Sequence, residues 1–326
     1  MSLTLTMTCT AYDRNQALLN GTVKPDGIDL HINIDPEGGQ FRVTHARARK
    51  YDIIEFHMGM YIEFHMGMYI ADLPYRVLGY TAIPIFVKRM FRHSYIYINR
   101  SAGIRSPADL NGKRIGIQTW FTTTALWAKG ILAEEYGVDL RSITWIAQEA
   151  ESIGDWHAPS WLKLEIAEGA SQFDLLASGE VDAGITTGVW APDKHPDITF
   201  LFSNYAELER DYFKRTGFFP INHTLIIKDS VLENDPWVAM SMFNAWQESK
   251  THCYRGLEWQ RVHQTSMWFR ALWEEERAVA GCDVYPWGFQ SARKELEKML
   301  NYSMLQGIIT SEFAPEQMFH RSTLDT

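Results

Sequence analysis

Leu3 to Thr10 alternates apolar and polar residues, the pattern of a half-buried strand. Ile28 to Ile34 repeats it, and Tyr51 to Ile54 reads as a third strand. A helix through Ala17 and Leu19 and a basic helix from Phe41 to Lys50 separate these strands. Tyr80 to Phe86 and Tyr95 to Asn99 are further strands on either side of a basic turn, Lys88 to Ser94. The clearest segment is 104–137. Ser106 caps a helical turn with Pro107 at its first position, and Asn111-Gly112-Lys113 breaks it. Arg114 to Ile117 is a short strand, Gln118 to Thr123 a polar and aromatic loop, and Thr124 begins a helix. Ala125, Leu126, Ala128, Ile131 and Leu132 recur at helical spacing until Gly137 ends it. A hydroxyl-rich loop entering a helix is a ready anion seat, because free N–H groups and the helix dipole point at it.

Strand–helix alternation continues to about residue 200, including the helix, Gly turn and strand of Phe173 to Ile185. Pro220 to Ile227 is another strand. Ser230 to Phe319 is nearly all helical, broken at Gly281 and around Pro286-Trp287-Gly288. Alternating strands and helices imply parallel sheets with crossover helices. A chain of 326 residues fits two lobes better than one.

The chain carries 31 basic and 40 acidic residues, a net charge of −9, which argues against nucleic acid or an anionic membrane as the main partner. Cys9, Cys253 and Cys282 are too sparse and widely spaced for a disulfide framework or a zinc site. The first residues show neither a basic region nor a long apolar core, so a cytoplasmic location is expected. No run approaches transmembrane length.

Glu55 to Ile62 is repeated without change as Glu63 to Ile70. A period of eight is too short for an architectural repeat and fits a replication slip. Eight residues are about 2.2 helical turns and rotate a downstream helical face by about 80°. The second copy is therefore expected to bulge as loop or to lengthen a helix start. Glu55, His57, Glu63 and His65 have a spacing that suits a strand face, but nothing else supports a metal site, and none is assigned.

Several segments together resemble the 4,5-dihydroxyphthalate decarboxylase family. They are Tyr12-Asp13-Arg14, Phe41-Arg42, Tyr51-Asp52-Ile53, Phe91-Arg92-His93-Ser94, Ser106 to Ile117, Gly130 to Val138, Arg215 to His223 and Pro236-Trp237-Val238. The resemblance spans almost the whole chain. It implies an α/β, two-lobe fold of the type II periplasmic-binding-protein kind, with a C-terminal helical region and a cleft between the lobes. One lobe would hold 1–99 and 204–326, the other 100–203. In open α/β sheets ligands bind beyond the carboxyl ends of the strands. Those ends carry Tyr12 to Arg14, Glu55 to His57, Arg92 to Ser94, Gln118 to Thr123, Thr186 to Trp190 and Asn222-His223.

The implied activity is cofactor-independent decarboxylation of a hydroxylated aromatic carboxylate, with no metal. The partner is a small aromatic carboxylate, and the Trp-rich C-terminal region suggests a homodimer. Such a reaction needs a proton donor at the ring carbon, an acceptor for the phenol, and a poorly solvated seat for the departing carboxylate. His93 is the first candidate donor and His223 the second, each with a purely structural alternative. Arg92 can hold a carboxylate bidentately. Arg14 and Arg42 have the same reading, with a plain salt bridge as the alternative. Thr122, Thr123 and Thr124 can cap the helix or hold an oxyanion, and Trp120 and Trp190 can sandwich a ring. Tyr12, His57 and Ser94 complete the expected substrate wall. The chain departs from the family pattern at Gln148 to His157 and at Thr186 to Trp190, where cations are expected. A binding protein that captures an aromatic or other organic anion without chemistry is the alternative reading.

Overall fold

The computed structural model describes residues 2–35, 42–66, 78–151, 156, 158–188, 195–259, 265–281 and 283–326; for 63–66 it gives the backbone path alone. Two sheets organise it. The first contains β1 (Leu3–Cys9), β2 (Ile28–Ile34), β3 (Ile53–His57), β4 (Tyr80–Arg89) and, from far along the chain, the strand Ile221–Lys228. The second contains β5 (Ile96–Asn99), β6 (Arg114–Ile117), β7 (Thr144–Ala147), β8 (Lys163–Ile166), β9 (Ala183–Ile185) and β10 (Ile198–Phe200). The late strand of the first sheet is therefore β11. The orders are β2-β1-β3-β11-β4 and β10-β5-β9-β6-β7-β8. β1 pairs parallel with β2 and β3, whereas β11 runs antiparallel to β3 and β4. Ile96–Asn99, grouped with the first lobe from sequence, pairs with β9 and β10 in the second sheet.

The apolar runs explain which strands are central. β4 and β11 are buried along nearly their whole length, as a strand covered on both faces must be. Ten helices surround the sheets: α1 (Gln16–Leu19), α2 (Arg42–Arg47), α3 (Met58–Met66), α4 (Thr123–Tyr136), α5 (Gln172–Ser178), α6 (Tyr205–Thr216), α7 (Asp229–Asn234), α8 (Val238–Trp259), α9 (Phe269–Ala280) and α10 (Phe289–Leu305), counted among the described residues. α4 ends where the sequence predicts, at Gly137 in the left-handed conformation (φ 67°) that glycine adopts without strain. Every residue of α4 from Thr123 to Leu132 is buried. Trp127 donates its indole N–H to the Ile221 carbonyl at 2.9 Å, and Trp120 donates to the Gln306 carbonyl at 3.0 Å. These bonds join α4 to β11 and the loop before α4 to the turn after α10.

The crossing between the sheets is clamped. Met90 N–H donates to the Pro220 carbonyl at 2.9 Å. Arg89 donates to the Phe219 and Pro286 carbonyls and pairs with Glu295 at 2.8 Å. The other Glu295 oxygen accepts the Ile221 N–H at 2.7 Å. Both side chains of this ion pair are buried.

The repeated octapeptide has two fates. In the first copy Glu55, Phe56 and His57 end β3, and Met58 starts α3. In the second, Glu63 to Met66 continue α3; the rest, through Ile70, lies outside the described residues. The second copy thus lengthens the helix begun by the first. Gly59 of the first copy sits against the 121–123 loop, where a Cβ would meet the Phe121 carbonyl oxygen at 2.6 Å. Its N–H donates to Thr123 Oγ1 at 2.9 Å. The first copy therefore makes contacts the site needs. Deleting 63–70 is expected to leave a folded protein, read by circular dichroism and a cooperative thermal transition; an insoluble product would show that the second copy is required.

Candidate active site

The carboxyl ends of β3, β4, β6 and β7, and the amino end of antiparallel β11 where Asn222 and His223 sit rather than at the expected carboxyl end, open onto a cavity of about 530 Å³. The first sheet and its helices supply Arg47, His57, Met60, Lys88, Asn222 and His223. The second supplies Gln118, Thr119, Thr122, Thr123, Thr124, Gln148, Glu149 and Thr187. The lining is dominated by polar side chains, which suits a small, hydrogen-bonding anion rather than a greasy ligand.

His223 is the best-defined group in it. Strand pairing sets His223 opposite His57 on β3 and Lys88 on β4. Its ring stands edge-on to His57 with centroids 4.4 Å apart. Nδ1 lies 2.6 Å from Glu55 Oε1 and 2.8 Å from Arg42 Nη1. A carboxylate can only accept and a guanidinium can only donate, so the two contacts demand opposite tautomers. The shorter contact is to the anion, and it assigns the proton to Nδ1, donated to Glu55. Nε2 is then the basic nitrogen; it is buried and has no hydrogen-bond partner among the described residues. Burial, followed by the repulsion of His57, pushes the His223 pKa well below its ordinary value of 6.5. The imidazole is a neutral base at physiological pH.

Glu55 is held in turn. It accepts from Arg42 at 2.7 Å, from the Tyr12 hydroxyl at 2.6 Å and from the Thr10 N–H at 2.7 Å. Burial raises its pKa, but Arg42, His223 and these hydrogen bonds outweigh it and keep the carboxyl ionised. Tyr12 and Arg42, expected on the substrate wall, thus form a layer beneath His223. Arg42 also bonds Thr10 Oγ1 and faces Asp35 at 3.6 Å, fully buried.

Two cations near the cavity lack a carboxylate. Arg92 is buried, donating to Asn222 Oδ1 at 2.6 Å and to Thr124 Oγ1 at 3.3 Å. It makes no ion pair among the described residues, and its Nε has no partner. Burial lowers it to about 10, which leaves it charged at neutral pH. It stands behind Asn222 and Thr124, both of which line the cavity. Lys88 lines the cavity itself and its ammonium has no hydrogen bond or ion pair with a described residue. Cations held without a direct carboxylate partner are what an anion site needs.

Other expected residues fall elsewhere. His93 is buried among the rings of Tyr136, Phe202 and Tyr212, away from the cavity lining, and burial lowers its pKa to about 4. Ser94 bonds Glu209 through both N–H and hydroxyl. Arg14 lies between the rings of Tyr12 and Tyr285 and donates to the Val87 carbonyl. Trp120 is in the core against Trp145 and Trp161. Trp190 lies outside the described residues. Of the residues singled out from sequence, His57, His223, Thr122, Thr123 and Thr124 line the cavity, with Arg92 just behind it.

The 118–123 loop is only partly free to seat a ligand. The Trp120 N–H donates to Glu151, and the Trp120 carbonyl accepts from buried Lys129 at 2.8 Å. The chain's own carboxylate takes an amide that the sequence offers to a bound anion. In the sequence Lys88 stands only as part of the basic turn Lys88 to Ser94, and Asn222 only as part of a strand end, neither with an assigned role. Lys88 and Arg89 together close the apolar run of β4, and that change of character is the available signal for Lys88.

No family model matches the sequence. A 4,5-dihydroxyphthalate decarboxylase of Comamonas testosteroni is 29% identical over 333 residues, covering 97% of this chain and 96% of that protein. A 4,5-dihydroxyphthalate decarboxylase of Pseudomonas putida is 32% identical over 228 residues, covering 66% of this chain and 83% of that protein. The chain belongs to the 4,5-dihydroxyphthalate decarboxylase family. Solved structures agree on the family's fold. The periplasmic aliphatic sulphonate binding protein SsuA of Escherichia coli superposes with a TM-score of 0.53 at 10% identity, covering all of both chains. The alkanesulfonate-binding protein SsuA of Xanthomonas axonopodis pv. citri, bound to MOPS, gives 0.51 at 13% identity, covering 99% of this chain and 97% of that one. The fold is therefore the two-lobe, type II periplasmic-binding-protein kind that the family resemblance implies. Among the described residues no helix is long and apolar enough to cross a membrane.

Proposed function

We propose that this protein decarboxylates a hydroxylated aromatic carboxylate of the 4,5-dihydroxyphthalate type, in the cavity between its sheets and without a cofactor. Family membership supports the reaction class. The observation that carries it at the level of residues is the Nε2 of His223, unpartnered among the described residues and backed by Glu55, in a cavity lined by Lys88 with Arg92 behind it. Arg92 with Asn222, and Arg47, attract the carboxylates. His223 Nε2 accepts the phenolic proton, and Glu55 stabilises the imidazolium that forms. Gln118, Thr122, Thr123 and Gln148 offer hydrogen bonds to hydroxyl and carboxylate oxygens. Holding the carboxylate away from bulk water favours its loss as neutral CO₂. In this reading the two lobes are about 1–95 with 204–326, and about 96–203, the first crossing being put before Ile96 because Ile96–Asn99 pairs with β9 and β10. Exposed Trp259, Met267 and Trp268 are the surface on which the expected homodimer would form.

The test is incubation of purified protein with a panel of hydroxybenzoates and hydroxyphthalates, following CO₂ and the phenolic product. Release from 4,5-dihydroxyphthalate or a close analogue is the expected result. Thermal stabilisation by these acids without turnover would replace this reading with that of a binding protein.

A further inference from the structure

Transfer of the phenolic proton to His223 is only half of the proton chemistry. The ring carbon must gain a proton as well, and the group that supplies it must be charged while His223 is neutral.

Resting on the decarboxylase reading, the geometry points to Lys88 as the acid that protonates the ring carbon bearing the departing carboxylate. Lys88 lies directly across from His223 in the β4–β11 pairing, so acid and base stand side by side at one end of the cavity. It is half-buried at the end of an apolar strand and lines the cavity, where its ammonium is committed to no described residue. Around it stand Arg92 and Arg42, which repel its charge, and Glu55, which favours it; His57, His223, Arg47 and Glu149 share the cavity wall. Burial, then Arg92, lowers its pKa to about 8. It is therefore still protonated at neutral pH and a far better acid than a solvated lysine.

The step balances. The phenol O–H proton passes to His223 Nε2 as a Lys88 N–H proton forms the new C–H bond, giving a cyclohexadienone that retains the carboxylate. The C–C bond then breaks with its electron pair returning to the ring, and CO₂ leaves. His223 returns its proton to the phenolate oxygen, and neutral Lys88 takes one from solvent. One proton is consumed per CO₂.

Lys88→Arg separates charge from acidity, since a guanidinium keeps the charge but does not give up a proton in this range. The full-length variant is expected to bind phthalate, which has no hydroxyl to react, within about threefold of wild type, while kcat for 4,5-dihydroxyphthalate falls about 100-fold or more. Wild-type kcat/KM is expected to decline as pH rises through about 8, and Lys88→Arg to lose that limb. Should Lys88→Arg fail to bind phthalate, Lys88→Gln is read the same way for turnover. Wild-type turnover with either variant retaining more than about a tenth of its kcat would overturn the assignment alone. No CO₂ from the wild-type protein would overturn the decarboxylase reading and this assignment together.

Discussion

His223→Ala is expected to lower kcat for CO₂ release by about 10²–10⁴-fold, the usual contribution of a positioned general base. The fold should survive, because Glu55 keeps Arg42, Tyr12 and the Thr10 N–H as partners once the imidazole is gone. His93→Gln is the matched control. His93 sits among Tyr136, Phe202 and Tyr212 and does not line the cavity, so its loss should affect stability more than turnover. The pH profile adds a second readout. His223 acts as a base, so activity is lost as pH falls through its pKa. That pKa is pushed below 6.5 by burial and by His57, so the acid limb assigned to His223 should lie below pH 6.5 and vanish in the variant. A His223→Ala protein with near-normal kcat would remove His223 from the chemistry.

The second large effect is on stability. Glu295→Ala is expected to cost about 3–5 kcal/mol, because it strands the buried Arg89 guanidinium without its counterion. It also leaves the Ile221 N–H without its acceptor, at the start of the strand that carries His223. Replacing Arg89 and Glu295 together with methionine should cost less than the single change, since no charge is left buried. Urea midpoints at constant m-value measure both. A cost below about 1 kcal/mol for Glu295→Ala would mean that solvent reaches Arg89 in the variant.

Local pattern carried a good part of the fold. Ile28–Ile34 and Arg114–Ile117 have the bounds that alternation and flanking turns predict, and α4 begins one residue before the predicted Thr124. These segments are short and closed by Gly, Pro or a cap, so the nearest residues decide them. β3 was harder. The sequence reading stops it at Ile54, yet it runs to His57 because β11 pairs along it from Ile227 to His223. That partner lies more than 160 residues away, beyond the reach of any window.

The site was legible in outline only. Strand ends marked where the cavity is, and His223 and His57 were on that list. Their ranking against His93, Tyr12 or Trp120 depends on which side chains point inward, and that is set by register and burial. The octapeptide shows the limit in its purest form. Glu55-Phe56-His57 is strand and Glu63-Phe64-His65 is helix, with identical residues. The first copy lies beside β11 and is fixed by its ladder; Glu63 to Met66 of the second follow the helix already begun at Met58.

By itself, then, the sequence determined the alternation of strands and helices, the glycine-ended close of α4, the family and the rim of strand ends on which a ligand would sit. These depend on local propensity, on apolar period and on segments long enough to be distinctive. Only the tertiary structure decided that Glu55 and Arg42 lie beneath His223, that His93 is packed among rings, and that Lys88 and Arg92 remain without carboxylate partners among the described residues. Charge state, tautomer and access to a cavity are properties of neighbours brought from distant parts of the chain, and they exist only after β11 has been laid between β3 and β4.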